Sequence, residues 1–425
     1  MKRICKLTLL GTTLAWGATA IQTARAGGIS LYEIGTPDVG LASAGYAARA
    51  QDASTLYKNP AGMSRLNEAQ LQGGLQVLYG DVQFSPNSQT SPTLGNNDGG
   101  VAVGGLPGMS LFYVQPLGEK WAVGLGTFNS FGLAQTYDDN WVGRYYVQES
   151  ALVGMSLMPS VSFKATDWLS FGASLNAMYG YLNTKVAVNN PAPFGSDGEL
   201  KYVDGNWGFG GNAGVLIEPA KGTRIGLTYT SPVKLDFADQ PTFTGLGPVL
   251  GAVLNNPATL NIGITVPQSV MLGAYHELTD RLALMGDVGW QNWNEFGYVQ
   301  LGVDSANPQQ LTGNLDYQDT WHAALGAQYV FSDHWVGTAG VAYDSSAVNN
   351  ENRTVTLPMG QAWRFGVGAL WQVSEKLYLN AAYEFLWAGD MSVDQGTDGS
   401  SRGRVAGSYD DAWFSFFTVN LTWKF

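Results

Sequence analysis

From about residue 69 to the end of the chain, apolar and polar positions alternate in segments of roughly ten residues, the pattern of a strand with one apolar and one polar face. Leu169, Phe171, Ala173, Leu175, Ala177, Tyr179 and Tyr181 share one face, against Ser170, Gly172, Ser174, Asn176 and Gly180 on the other. The same alternation runs through Trp207 to Glu218, Leu377 to Trp387 and Trp413 to Phe425. Six tight polar connections separate these segments: Pro116–Glu119, Ala165–Asp167, Pro219–Gly222, Leu278–Asp280, Ser332–His334 and Val373–Lys376. Between them lie seven long ones, near 85–107, 132–150, 186–200, 238–260, 302–318, 347–360 and 394–405. Thirteen connections join fourteen strands, and short turns alternating with long loops are the signature of a transmembrane β-barrel. Trp121, Trp168, Trp335 and Trp387 fall toward strand ends, as an interfacial girdle requires.

Composition sharpens this. Apolar types make up 45% of the 425 residues and charged types 13%, yet outside the N-terminus no apolar run approaches the roughly 18 residues of a membrane helix. Fifty-five glycines exceed the usual share of about 7% without a collagen period. The expected fold is therefore all-β: a 14-stranded antiparallel transmembrane β-barrel over 69–425, closed by a last strand ending in Phe425 with apolar residues at every second place before it.

The N-terminus reads as a secretory leader, 1–26: Lys2, Arg3 and Lys6, then the apolar Leu7–Ala20, then Ala24-Arg25-Ala26 before Gly27. The single cysteine, Cys5, leaves with it, so the mature chain has no thiol chemistry. Losing Lys2, Arg3, Lys6 and Arg25 leaves 18 basic against 34 acidic residues, which moves the net charge from −12 to −16 and argues against nucleic acid as a partner. Residues 27–68 do not alternate. Asp52 is expected to cap a short helix through Leu56 and Tyr57 that ends at Asn59-Pro60, forming either a periplasmic tail or a small plug in the lumen.

Gly40-Leu41-Ala42-Ser43-Ala44-Gly45, Asp52-Ala53 and Asn59-Pro60-Ala61 resemble the N-terminal hatch of the FadL/TodX family, the long-chain fatty acid and hydrocarbon transporters of the Gram-negative outer membrane. Further similarity lies in Ser130-Phe131-Gly132-Leu133-Ala134, Gly205–Gly210 with Asn212-Ala213-Gly214, Leu227-Thr228-Tyr229 with Val233–Phe237, and Ala342-Tyr343-Asp344, so it covers essentially the whole mature chain. The terminal Phe425 resembles the signal read by the barrel-assembly machinery. The resemblance implies a monomeric barrel, set among outer-membrane lipid and lipopolysaccharide, that takes up hydrophobic small molecules without a cofactor. It implies a hatch including Asn59, Pro60 and Ala61, and a lateral gate at an inward kink of the third strand, matched by Asn129, Ser130, Phe131, Gly132 and Leu133. It also implies capture of the ligand among the outer loops, here Phe194, Phe243, Leu246 and Leu250. The segment from Gln240 to His276 carries no Asp, Glu, Lys or Arg, which suits either a greasy ligand or packing as a lid. Two cations that meet the ligand head group in the fatty-acid transporter fall at Tyr181 and Gln300, which favours neutral solutes unless Arg364, expected to point inward near the outer end, takes their place.

An enzyme is not expected. His276, His322 and His334 are scattered, Gly399-Ser400-Ser401-Arg402-Gly403 lacks the strand-turn-helix setting of a nucleophile elbow, and Asp287 and Glu384 read as polar lumen residues. Asp394, Asp398, Asp410 and Asp411 read as solvated surface, with no metal site. A diffusive porin and an outer-membrane lipid hydrolase are the competing functions. A porin should carry charged rings at an open constriction, and a hydrolase needs a nucleophile beside a histidine.

Overall fold

The computed structural model describes Tyr32 and residues 34–190, 196–254, 258–304 and 309–425. The leader 1–26, the first residues of the 27–68 unit and Phe194 lie outside the described residues, and Leu133 is described in its backbone alone. Fourteen antiparallel strands form the wall. They are β1 (Gln70–Asp81), β2 (Gly105–Leu117), β3 (Trp121–Thr136), β4 (Glu149–Thr166), β5 (Leu169–Val188), β6 (Gly198–Ala220) and β7 (Thr223–Thr230), then β8 (Ser269–Glu277), β9 (Leu282–Gln291), β10 (Thr320–Ser332), β11 (Trp335–Asp344), β12 (Ala362–Gln372), β13 (Leu377–Gln395) and β14 (Val405–Lys424). Each pairs with its sequence neighbour, and β14 returns to β1 in a continuous register from Gln70↔Lys424 to Asp81↔Trp413, so the sheet closes on itself. The alternation sorts as expected: Leu75, Leu175 and Phe209 are exposed on the outside, while Ser170, Asn176 and Asn420 are buried within. Trp121, Trp168, Trp335, Trp371 and Trp423 ring the short-turn end, with Trp321, Trp363 and Trp387 exposed toward the other.

Two of the long connections are not loops alone. The wall strand β7 stops at Thr230, before Pro232, which lacks the N–H that a ladder needs, and β8 begins after Pro267. Between those prolines Val233–Asp239 and Thr259–Val266 pair with each other, and with Tyr298–Asp304 and Gln309–Asn314 they build a separate four-stranded sheet at the long-loop end. The connections expected at 238–260 and 302–318 are tips of this sheet's hairpins.

The N-terminal segment, residues 34–66, lies against the inward faces of the wall. It contains 3-10 turns at Pro37–Leu41 and Pro60–Arg65 and one helical turn, Thr55–Lys58. Asp52 is not the residue preceding that helix: Ser54 is, and Asp52 Oδ1 accepts from Ser54 N at 3.1 Å and Ser54 Oγ at 2.5 Å. Asn59 caps the second 3-10 turn, accepting from Ala61 N at 3.1 Å and donating to Ala47 O at 2.7 Å and, across to the wall, Val215 O at 3.0 Å. Other wall side chains bond the segment's backbone: Gln76 accepts from Gly35 N at 2.9 Å, Ser110 donates to Gly35 O at 2.8 Å, and Asn212 donates to Tyr57 O at 2.9 Å. At Gly340 and Gly366 the wall comes so close that a Cβ would sit 2.8 Å from Leu41 Cα and 2.6 Å from Ala42 N respectively.

Candidate functional site

The ladder between the second and third wall strands is interrupted. β1 and β2 pair from Gln70↔Val114 to Tyr79↔Gly105, and β3 and β4 pair from Trp121↔Phe163 to Thr136↔Glu149. Between β2 and β3, however, pairing runs only from Leu117↔Trp121 to Ser110↔Phe128. Beyond it Gly105–Met109 and Asn129–Gln135 diverge. The cause is local to β3: the register slips between Asn129 and Phe131, so burial shifts from even positions (Ala122, Phe128) to odd ones (Phe131, Gln135). Asn129 Oδ1 reaches Met109 N at 3.4 Å, a weak bond in place of a ladder, and Ser130 Oγ meets Ser156 Oγ on the next strand. A cavity of about 110 Å³ occupies the seam, lined mainly by apolar groups including Leu78, Leu106, Pro107, Met109, Phe131, Gly132 and Val153, and by Ile34 of the N-terminal segment. Gly132 takes no part in a tight contact there; its Cβ would find nothing nearer than Val153 at 3.8 Å. Gly154, opposite Phe131, is the position that makes room, since a side chain would collide with the Phe131 ring.

Phe131 also belongs to a buried apolar group under the outer sheet, with Met178, Leu182, Tyr202, Leu235, Phe237, Trp293, Phe296 and Tyr317. The two expected capture loops do meet: the short strand Thr242–Thr244 pairs with Glu199–Lys201, Asn190 Nδ2 donates to Gly245 O at 2.9 Å, and Asn190 Oδ1 accepts from Gly247 N at 2.9 Å. Phe243, Leu246 and Leu250 are each half-buried there, with Leu250 on a helix spanning Pro248–Leu254. Thus Phe131 touches both the seam and the apolar group beneath the loops.

Arg364 points inward as expected, between the outward Trp363 and Phe365. Its guanidinium is committed: Nε donates to Asp344 Oδ2 at 2.6 Å and Nη1 to Glu384 Oε1 at 3.1 Å. His322 Nδ1 lies 2.7 Å from the other Asp344 oxygen, and Tyr32 packs over the His322 ring at 4.4 Å. These four side chains form a buried diagonal across β10 to β13 with two carboxylates for one guanidinium. Asp287 and Glu384 serve separate partners; Asp287 accepts from backbone N–H groups of residues 45–47.

The family model for outer membrane protein transport proteins (OMPP1/FadL/TodX) matches residues 17–425. The chain belongs to that family. It is 26% identical over 417 residues to the long-chain fatty acid transport protein of Salmonella typhi, covering 91% of each chain. It is 28% identical over 418 residues to outer membrane protein P1 of Haemophilus influenzae, covering 89% of each. Among solved structures, a Pseudomonas aeruginosa FadL homologue superposes with a TM-score of 0.83 at 24% identity over 94% of this chain and all of that one. The Pseudomonas putida toluene transporter TodX gives 0.65 at 20% identity, over 88% of this chain and 94% of that one. Both likenesses speak for the fold. As a member of this family, with a closed 14-stranded wall, the protein is an outer-membrane transport protein of the Gram-negative type.

Within this family member, neither position matched to a head-group cation faces the apolar group. Tyr181 is exposed on the outside of β5 and the inward neighbour is Leu182, while Gln300 is exposed on the outer sheet. Neither position therefore brings a cation to that group, as their residue types already implied. Sequence reasoning also missed the His322–Asp344–Arg364–Glu384 diagonal and the role of Asp287. The signal available was an inward-facing charge at each position, but the partners lie on different strands and only register joins them.

Proposed function

We propose that the protein takes up hydrophobic small molecules from outside the cell, passes them along the apolar group under the outer sheet, and releases them sideways into the membrane at the β2–β3 seam. The observation that carries this reading is the interrupted ladder between Ser110–Phe128 and the ends of both strands, where an apolar cavity is joined through Phe131 to the apolar group under the outer sheet. A hole in a barrel wall strands backbone N–H and C=O groups in hydrocarbon, so such a seam is retained only where it serves passage. Sideways release also spares an apolar solute the periplasmic water. In this scheme residues 1–26 are a leader, 27–68 form the hatch with Asn59, Pro60 and Ala61 at its wall contact, and 69–425 form the barrel. Asn129 to Leu133 form the gate, and Phe194, Phe243, Leu246 and Leu250 the capture surface.

The ligand class that fits is neutral: alkanes, alkylbenzenes or esters rather than a carboxylate. Arg364 is bonded to two carboxylates, so a fatty-acid anion arriving there would have to displace one of them. A porin reading is disfavoured by the segment packed against the inner wall, and no chemical step is assigned to the barrel. The protein acts as a monomer among outer-membrane lipid and lipopolysaccharide after insertion by the barrel-assembly machinery. Uptake of chain-length-matched fatty acids, alkanes and alkylbenzenes by a deletion strain carrying the gene tests the scheme. Faster entry of the neutral compounds is expected, and uptake unaffected when the seam is filled would overturn it.

A further inference from the structure

Asp287 lies near the middle of β9, facing inward and 4% exposed. Its Oδ2 accepts from Gly45 N and from Tyr46 N, the latter at 3.0 Å, and its Oδ1 accepts from Ala47 N at 3.3 Å. Three consecutive backbone N–H groups thus converge on one carboxylate. They do so because Gly45 holds a φ of +87°, which turns the chain so that successive N–H groups point the same way, an anion-binding nest. The wall prepares the other half. Gly273 stands opposite Asp287 in the β8–β9 ladder, and a Cβ there would overlap Asp287 Oδ1; Ala324 flanks it on the other strand.

We propose that Asp287 is the latch that holds the N-terminal segment shut against the barrel wall. The proposal rests on the reading of that segment as a hatch and names the residue that retains it. A buried carboxylate is expensive to keep without donors, and these donors belong to the segment that would have to leave. Opening therefore strands a charge unless water replaces all three N–H groups together. That makes release an all-or-none event rather than a gradual loosening. Asp287 is a positioning residue: it touches the segment and not the solute.

Planar-bilayer recording of the purified full-length protein tests this, with a variant lacking residues 27–66 as reference. Asp287→Asn keeps the shape but removes the charge, and Gly273→Ala keeps the charge but displaces the carboxylate. Both should raise the open-time fraction at least about tenfold, as expected from losing charge-assisted hydrogen bonds. Asp280→Asn, in the exposed turn of the same hairpin, should behave as wild type. The heat-modifiable migration of the folded barrel and its urea midpoint should be unchanged in each, since a merely structural role would move them instead. Wild-type open times in both Asp287→Asn and Gly273→Ala, with the segment-lacking variant conducting freely, would overturn the latch. Failure of the segment-lacking variant to conduct would instead overturn the hatch reading beneath it.

Discussion

Gly340 is on the inner face of β11, and alanine there should lift the N-terminal segment from the wall while leaving the barrel intact. A Cβ at this position would sit 2.8 Å from Leu41 Cα and overlap the Leu41 carbonyl. Carbon pairs rest at about 3.5–4.0 Å, so the contact must open by roughly 0.7 Å or more. The segment has to give, because the Gly340 backbone is held in register on both sides by Gly326 and Gly366. Leu41 is four residues from Gly45, so this shift is transmitted toward bonds such as Tyr46 N to Asp287 Oδ2, which at 3.0 Å has little slack. Overpacking of this kind costs about 1–3 kcal/mol. A cost of one or two kcal/mol multiplies the detached population roughly 5- to 30-fold. Hydrogen exchange of residues 34–48, followed by mass spectrometry in detergent, reads that population directly. Gly73→Ala is the control: Gly73 faces outward and its Cβ would meet Leu111 Cδ1 at a comfortable 3.8 Å. Unchanged exchange in Gly340→Ala, or an equal change in both variants, would refute the view that the inner glycines exist for the segment's close approach.

Gly154→Val should push the Phe131 ring out of its seat into the seam cavity and cut hydrocarbon uptake several-fold with the barrel still folded, as read by labelled alkylbenzene entry. Arg364→Ala leaves Asp344 and Glu384 without their shared cation and should cost about 3–5 kcal/mol in a urea unfolding curve, the penalty for breaking a buried pair. If oleate uptake per folded molecule is unaffected by that change, Arg364 is not a head-group site. Asn59→Ala removes a cap and two further hydrogen bonds at once, and should cost the segment about 2 kcal/mol, seen as faster hydrogen exchange over residues 47–61. In the outer loops, burial pushes the Tyr137 phenol above its ordinary value, with its 2.7 Å bond to Tyr409 opposing. A raised folded value means that the neutral phenol is favoured in the fold: its stabilisation is complete below about pH 10 and falls as pH rises further. Near-ultraviolet circular dichroism from the Tyr137–Trp141 stack, whose ring centroids are 3.9 Å apart, should therefore persist through about pH 10, where a solvated phenol ionises, and its loss there with the barrel still folded would refute the burial argument.

Strand number, turn placement and the lipid-facing half of each strand are decided by sequence alone, because period-two alternation and turn residues act over a few neighbours. The final strand shows this well: Phe417, Val419, Leu421 and Trp423 are all exposed, as their spacing requires. The outer sheet was hidden because its strands alternate like wall strands, and only the breaks at Pro232 and Pro267 separate them. The stretch Asn129 to Leu133 stood out through family likeness, but the interrupted ladder beside it was not legible, because an unpaired seam is a relation between β2 and β3. The same holds for charge. His322, Asp344, Arg364 and Glu384 are 62 residues apart end to end in sequence, yet pairing of four strands brings them together. Glycine shows the division most plainly: its abundance was visible from the first count, but that Gly340 and Gly366 let another stretch of backbone come within contact of the wall is a fact of three dimensions, since close approach has no local signature.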